Sequence, residues 1–147
     1  MKKRIDIVSL KLCKEKSIMY EPRSITRSED CIQLIKTMIG DSAREKFIVI
    51  ALNPKNEPTA IEICSLGTTD MALVHPREVF KTALVSNATK IIIAHNHPSG
   101  SVKPSKNDIE ITKALVDASA ILDIPILDHI IIGDYYYYYS FSEHCLI

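Results

Sequence analysis

Two histidines and one aspartate stand out in this chain for the chemistry that their types and spacing allow. His95 and His97 flank a single asparagine at the end of the short apolar run at 90–94. On a strand, alternate side chains share a face, so both imidazoles can point the same way. Asp108 follows thirteen positions after His95, beyond the segment HNHPSGSVKPS. The turn-forming residues of that segment let the chain double back and set the first turn of a following helix beside the strand end. Two imidazole nitrogens and a carboxylate oxygen suit zinc and leave a fourth tetrahedral position for water, the arrangement of a catalytic rather than a structural site. Iron, cobalt and manganese share these ligand types. The same residues also have a structural use, since 105–108 reads Ser-Lys-Asn-Asp and matches a helix capping box. Capping and ligation compete only in part.

Hydrolysis at such a site needs a proton acceptor for the water, a carboxylate held near the metal without ligating it. Glu45 and Glu62 are the candidates: Glu45 stands at the entry to FIVIAL, and Glu62 lies inside the next apolar segment. Pattern alone does not choose between them. His75 precedes a proline-initiated helix and reads as a cap or loop contact, with a substrate-groove contact as its functional alternative. His129, in LDHIII, reads as a hydrogen-bonded structural histidine, because a fourth protein ligand would close the water position. His144 lies near an end expected to fray and is given no role. The chain carries no Walker or dinucleotide fingerprint.

The elements that must position these residues are read from periodicity. Ile5, Ile7, Leu10 and Leu12 predict an extended opening segment. Ser28 is placed to cap a helix through about Gly40, with Cys31, Leu34, Ile35 and Met38 on one face. Segments 47–52 and 60–66, joined by NPKNEP, predict a hairpin. Pro76 opens a helix ending near Asn87, with Val79, Phe80, Leu84 and Val85 as its apolar stripe. Residues 89–94 read as a central strand covered on both faces. Ser105 opens a long helix carrying Ile109, Ile111, Leu115, Ala118 and Ile121, and IPILDHIIIG gives another strand. The tyrosine run at 135–139 has Asp134 and Glu143 as its nearby charges. It therefore reads as a strand edge or homodimer surface rather than a base-stacking platform, which works in a positive groove. No repeat or long linker divides the chain, and the pattern gives one α/β (α+β) domain with a mixed β-sheet packed against helices.

Composition bounds the rest. The chain has 147 residues, 46% hydrophobic and 24% charged, enough for one core and unlike a disordered chain. Its 18 Lys and Arg balance 18 Asp and Glu, so no global field gathers nucleic acid or anionic membrane. Residues 1–27 nevertheless hold eight basic against three acidic residues, leaving one basic patch. Cys13, Cys31, Cys64 and Cys145 are widely and unevenly spaced, as expected for free thiols in a reducing cytoplasm. Neither a signal peptide nor a transmembrane run is readable.

The sequence His95-Asn96-His97-Pro98, six residues, Ser105, two residues, Asp108 resembles the zinc motif of the JAMM or MPN-plus metalloproteases. HNHPSG, SLGTTDMALVHPREVFKTAL at 65–84 and LDHIIIGD at 127–134 make the resemblance narrower, to RadC-like proteins. It runs from about Ile25 to the C-terminus, leaving 1–24 as a short basic extension and 25–147 as the domain. The resemblance implies a single deaminase-like three-layer domain. It further implies Zn2+ on His95, His97 and Asp108, Glu45 as base in its D-x-x-x-E-x-F setting, and Ser105 steadying the water or oxyanion. The activity so implied is cleavage of a peptide or isopeptide bond in a peptide or protein substrate. RadC proteins commonly carry a helix-hairpin-helix-like region, which the stretch before Ile25 is too small to contain, and an acidic residue where this chain has Ser101. Two alternatives stand beside the hydrolase: a catalytically idle protein-interaction domain, and a DNA repair-associated factor whose basic first 27 residues meet phosphate.

Overall fold

The computed structural model describes residues 1–67, 74–135 and 137–147. Part of the segment quoted above at 65–84, and Tyr136 of the tyrosine run, lie outside the described residues. In chain order the elements are α1 (Glu29–Ile39), β1 (Lys46–Leu52), β2 (Pro58–Leu66), α2 (Pro76–Val85), β3 (Lys90–Asn96), α3 (Lys106–Leu122), β4 (Ile126–Ile132) and β5 (Tyr138–Ser140).

The strands form one mixed sheet in the order β2-β1-β3-β4-β5. The expected hairpin is β1 and β2, antiparallel, closed by turn residues including Asn56 at φ 59°. β1 also runs antiparallel to β3, pairing Phe47 with His95 and Leu52 with Lys90. β3 and β4 are parallel, a pairing that requires a crossover, and α3 supplies it. β3 is therefore the middle strand, and its apolar run is buried on both faces as the sequence predicts.

Alternation along the strands sorts the core into two halves. On one face Ile48, Ile50, Leu52, Ile92, Ala94, Ile130 and Ile132 pack against Cys31, Leu34, Ile35 and Ile39 of α1. On the other, Phe47, Val49, Ile91 and Ile93 pack against Val79, Phe80 and Ala83 of α2 and Leu115 of α3. The result is a three-layer α/β sandwich. Each fully buried isoleucine or leucine contributes about 1.5–3 kcal/mol relative to exposure, so these two clusters hold the helices to the sheet.

Three local expectations differ from what forms. The opening segment makes no strand, and Ile5, Ile7, Leu10 and Leu12 are exposed. Ser28 occupies the N-cap position of α1 without capping it; its hydroxyl instead bonds the buried Asp128 carboxylate at 2.9 Å, and Asp30 takes the Thr26 and Arg27 backbone N–H groups. A partner on β4 outcompetes the local one. On α3 the expected apolar stripe is displaced: Ile109 and Ile121 are exposed, and the buried face is Asp108, Thr112, Leu115 and Ser119. The helix is rolled so that its polar residues meet the sheet, and the reason lies at the end of β3.

Candidate metal centre

β3 carries His95 on the α2–α3 side of the sheet, where Phe47 stacks on it with ring centroids 5.8 Å apart and planes at 10°. The chain leaves the strand at His97, whose backbone N–H still bonds the Ile132 carbonyl and so keeps the residue in line with β3. It then turns sharply. Gly100 adopts φ 82° and accepts no side chain, since a Cβ there would lie 2.1 Å from an Asp134 carboxylate oxygen. The turn directs the Ser101 carbonyl to His97 Nδ1 at 2.7 Å. A carbonyl only accepts, so Nδ1 carries the proton and His97 Nε2 presents its lone pair inward.

The expected capping box opens α3. Ser105 Oγ accepts the Asp108 N–H at 3.1 Å, and Asp108 Oδ2 accepts the Ser105 N–H at 2.7 Å. The cap leaves the Asp108 carboxylate facing the imidazoles, with Oδ1 3.3 Å from His95 Nε2 and Oδ2 3.4 Å from His97 Nε2. The two Nε2 atoms are 3.0 Å apart. Metal–ligand bonds of about 2.0–2.2 Å in a tetrahedron put ligand atoms about 3.3–3.6 Å from one another. The two Nε2 atoms and the Asp108 carboxylate are grouped on about that scale, each imidazole facing a different carboxylate oxygen, and His95, His97 and Asp108 form a group that can hold a metal ion. His95 and Asp108 are buried, while His97 is partly exposed, so the open side faces solvent.

The electrostatics agree with this packing. Burial acts to raise the Asp108 carboxyl, but the His95 and His97 imidazoles outweigh it and hold the group well below the usual carboxylate range. Burial acts to lower His97, but Asp108, the Ser101 carbonyl and the Glu45 charge outweigh it, and the imidazole is raised above its ordinary value.

Of the two base candidates, Glu45 directly precedes β1 and is buried. Continuing the β1–β3 register, in which Phe47 faces His95, brings Glu45 level with His97 on the same side of the sheet. Glu62 is on β2, an edge strand two strands from β3, and its carboxylate accepts from the Thr82 hydroxyl of α2. Burial raises the Glu62 carboxyl, ahead of the charges around it. Ser105 is exposed at the mouth of the centre, with its oxygen committed to the cap.

Two neighbours of the centre, Asn96 and Thr112, were not singled out by sequence reasoning, and for a third, His129, the partner was not identified. Asn96, between the two histidines, points to the opposite face and accepts from Lys46 N at 2.8 Å while donating to the Ser42 and Arg44 carbonyls, each at 3.2 Å. It ties the chain carrying Glu45 to β3. His129 is structural and satisfied, as its apolar setting predicts, but its Nε2 partner is His95 Nδ1 at 2.9 Å. Thr112 lies 2.6 Å from His129 Nδ1 and, as the residue four positions after Asp108 on one helix, was in principle visible from spacing. The remaining histidines lie outside the cluster. His75 caps α2 through Arg77 N, and His144 stacks on Tyr139 at 4.0 Å rather than hanging free. Beside His97 a cavity of about 210 Å³ opens, lined among others by Asp41, Ser42, Pro98, Gly133 and Asp134.

The profile of the RadC-like JAB domain matches residues 25–146. The chain belongs to the RadC family. Curated relatives of this chain are named UPF0758 proteins: that of Caldanaerobacter subterraneus subsp. tengcongensis is 50% identical over 118 residues, covering 80% of this chain and 51% of the relative. That of Rubrobacter xylanophilus is 39% identical over 143 residues, covering 96% of the chain and 62% of the relative. That of Clostridioides difficile is 51% identical over 104 residues, 71% and 44%. The chain spans about half the length of these RadC relatives. The RadC assignment agrees with the mixed sheet, the three layers and the metal-capable cluster at the end of β3. Among the described residues, no helix is long and apolar enough to cross a membrane.

Proposed function

We propose that this chain is a zinc-dependent amide hydrolase, a peptidase or isopeptidase, with His95, His97 and Asp108 as the ligands. The observation that supports it best is the clustering of the His95 and His97 Nε2 atoms, 3.0 Å apart, against the Asp108 carboxylate, whose Oδ1 and Oδ2 lie 3.3 and 3.4 Å from them, with His97 partly exposed. A zinc ion there supplies Lewis acidity, making water a nucleophile near neutral pH and polarising a substrate carbonyl.

The protein's own groups supply the proton transfers. The Glu45 carboxylate, level with His97, takes a proton from the attacking water and returns it to the departing amine. Ser105 accepts the Asp108 N–H through its oxygen, which leaves its hydroxyl proton free to donate to the oxyanion that develops at the carbonyl.

The test combines metal content with turnover. Elemental analysis of protein purified without a metal-binding tag is expected to give near-equimolar zinc, lost in His95→Ala and Asp108→Ala. Digestion of a mixed peptide and isopeptide-linked library, read by mass spectrometry, is expected to require zinc. It should fall at least a hundredfold in Glu45→Gln, with zinc retained. A folded parent that takes up no zinc on reconstitution overturns the proposal, and Glu45→Gln cleaving at the parent rate overturns the choice of base.

A further inference from the structure

From the chain of contacts behind His95 we infer that Thr112 and His129 are positioning residues, which together set the tautomer in which His95 meets the metal. The inference rests on the metal reading above and extends it into a part of the core that no ligand occupies. His129 is fully buried, between Phe47 and Phe141 with ring centroids 5.4 and 4.6 Å away. A histidine in such a place needs a partner on both nitrogens. It has them: Thr112 Oγ1 at 2.6 Å from Nδ1, and His95 Nδ1 at 2.9 Å from Nε2.

The direction of the chain is decided at its far end. Thr112 Oγ1 lies 2.6 Å from the Asp108 carbonyl oxygen, which only accepts, so the single hydroxyl proton sits between those two oxygens. The hydroxyl oxygen is then an acceptor toward His129, whose Nδ1 carries the proton and whose Nε2 is bare. His95 Nδ1 must donate to that bare nitrogen. A neutral His95 is left with its lone pair on Nε2, the atom that faces Asp108 and His97. The reverse order would turn the Thr112 proton toward His129 and press two oxygens together at 2.6 Å with nothing between them. It would also place a proton on His95 Nε2, where zinc must bind. Asp108 thus acts twice, as a carboxylate toward the metal and as a backbone carbonyl that orients the chain ending at His95. The displaced stripe of α3 follows from this, because Asp108 and Thr112 are four positions apart and must face the sheet together.

Thr112→Val keeps the shape of the side chain and removes the hydroxyl, and Thr112→Ser keeps the hydroxyl. His129→Phe keeps the aromatic packing and removes both nitrogens. Two readouts apply. Long-range 1H–15N spectra of metal-free protein at pH 8 should show His95 with its proton on Nδ1 in the parent and in Thr112→Ser, and mixed tautomers in Thr112→Val. Zinc affinity, from competition with a chromophoric chelator, should weaken about 10–100-fold in Thr112→Val and His129→Phe and recover in Thr112→Ser. Cobalt substitution should give a tetrahedral visible spectrum in the parent, broadened in Thr112→Val. Parent-like zinc affinity and a parent-like His95 tautomer in folded Thr112→Val overturn the inference, as does a parent with the His95 proton on Nε2. A parent that shows the expected tautomer and binds no zinc instead sinks the metal reading and leaves the hydrogen-bonded chain standing.

Discussion

The Asn96 side-chain oxygen accepts the Lys46 backbone N–H at 2.8 Å, which fastens the residue between the two histidines to the residue after Glu45. The same carboxamide donates to the Ser42 and Arg44 carbonyls, so one buried side chain satisfies three backbone groups in the stretch leading into β1. Asn96→Ala removes these bonds, leaving the Arg44 carbonyl only the Ser42 hydroxyl at 2.7 Å, and should cost about 1–3 kcal/mol in urea unfolding. The ligands stay in place, so bound zinc should remain near parent level while hydrolysis falls more than tenfold through misplacement of Glu45. A variant that loses zinc and activity in proportion would show that Asn96 supports the ligands rather than the base.

The metal-free protein should be most stable near the ordinary imidazole value of about 6.5. Asp108 has a depressed folded pKa, so its contribution is present above the ordinary carboxylate value of about 4 and lost as pH falls through the depressed one. His97 has a raised folded pKa, so its contribution is present below the ordinary imidazole value of about 6.5 and lost as pH rises through the raised one. Burial holds the His129 imidazole well below its ordinary value, so its contribution is lost as pH falls below about 6.5, and thermal melts of chelator-treated protein are therefore expected to peak near that value and to decline toward pH 8. Zinc should reverse the decline, because it needs the unprotonated imidazole, and calorimetry in buffers of different ionisation enthalpy should register proton release on binding. A metal-free melting temperature that rises steadily from pH 6 to 8 would contradict the His97–Asp108 coupling.

Gly100 should tolerate no side chain. Its φ of 82° and the 2.1 Å approach of Asp134 Oδ2 to an added Cβ combine conformational strain with a steric overlap. Gly100→Ala is expected to destabilise the fold by about 1–3 kcal/mol and to weaken zinc binding, because the Ser101 carbonyl that orients His97 moves with the turn. Urea unfolding and zinc competition on the same sample check both parts, and unchanged values for the pair would show the turn to be dispensable.

The four cysteines should divide by reactivity. Burial pushes the Cys31 and Cys64 thiols up to about 12, with the Asp128 charge acting in the same direction on Cys31 and the Glu62 charge on Cys64, while Cys13 and Cys145 are exposed. Ellman's reagent at pH 8 is expected to modify Cys13 and Cys145 quickly, the half-buried Cys64 more slowly and the buried Cys31 only in denaturant. Four equally fast thiols would mean that the sheet faces open readily.

Much of this protein is written in short-range pattern. The metal-capable cluster His95, His97 and Asp108, the capping box at Ser105, the proline start of α2 and the β1–β2 hairpin are legible in the chain, because each depends on residues within one strand, one turn or one helix end. What the sequence left open is whatever depends on which strands become neighbours. Glu45 and Glu62 are alike in pattern, and only the order β2-β1-β3 separates the one level with His97 from the one at the sheet edge. Ser28 looks like a cap until β4 brings the Asp128 carboxylate to it. His129 reads as a hydrogen-bonded structural histidine, but its partner is unknown until the parallel pairing of β3 with β4 sets it beside His95. The physical reason is common to all three: a buried polar group takes the partner that tertiary packing delivers, and no local spacing encodes that partner's identity.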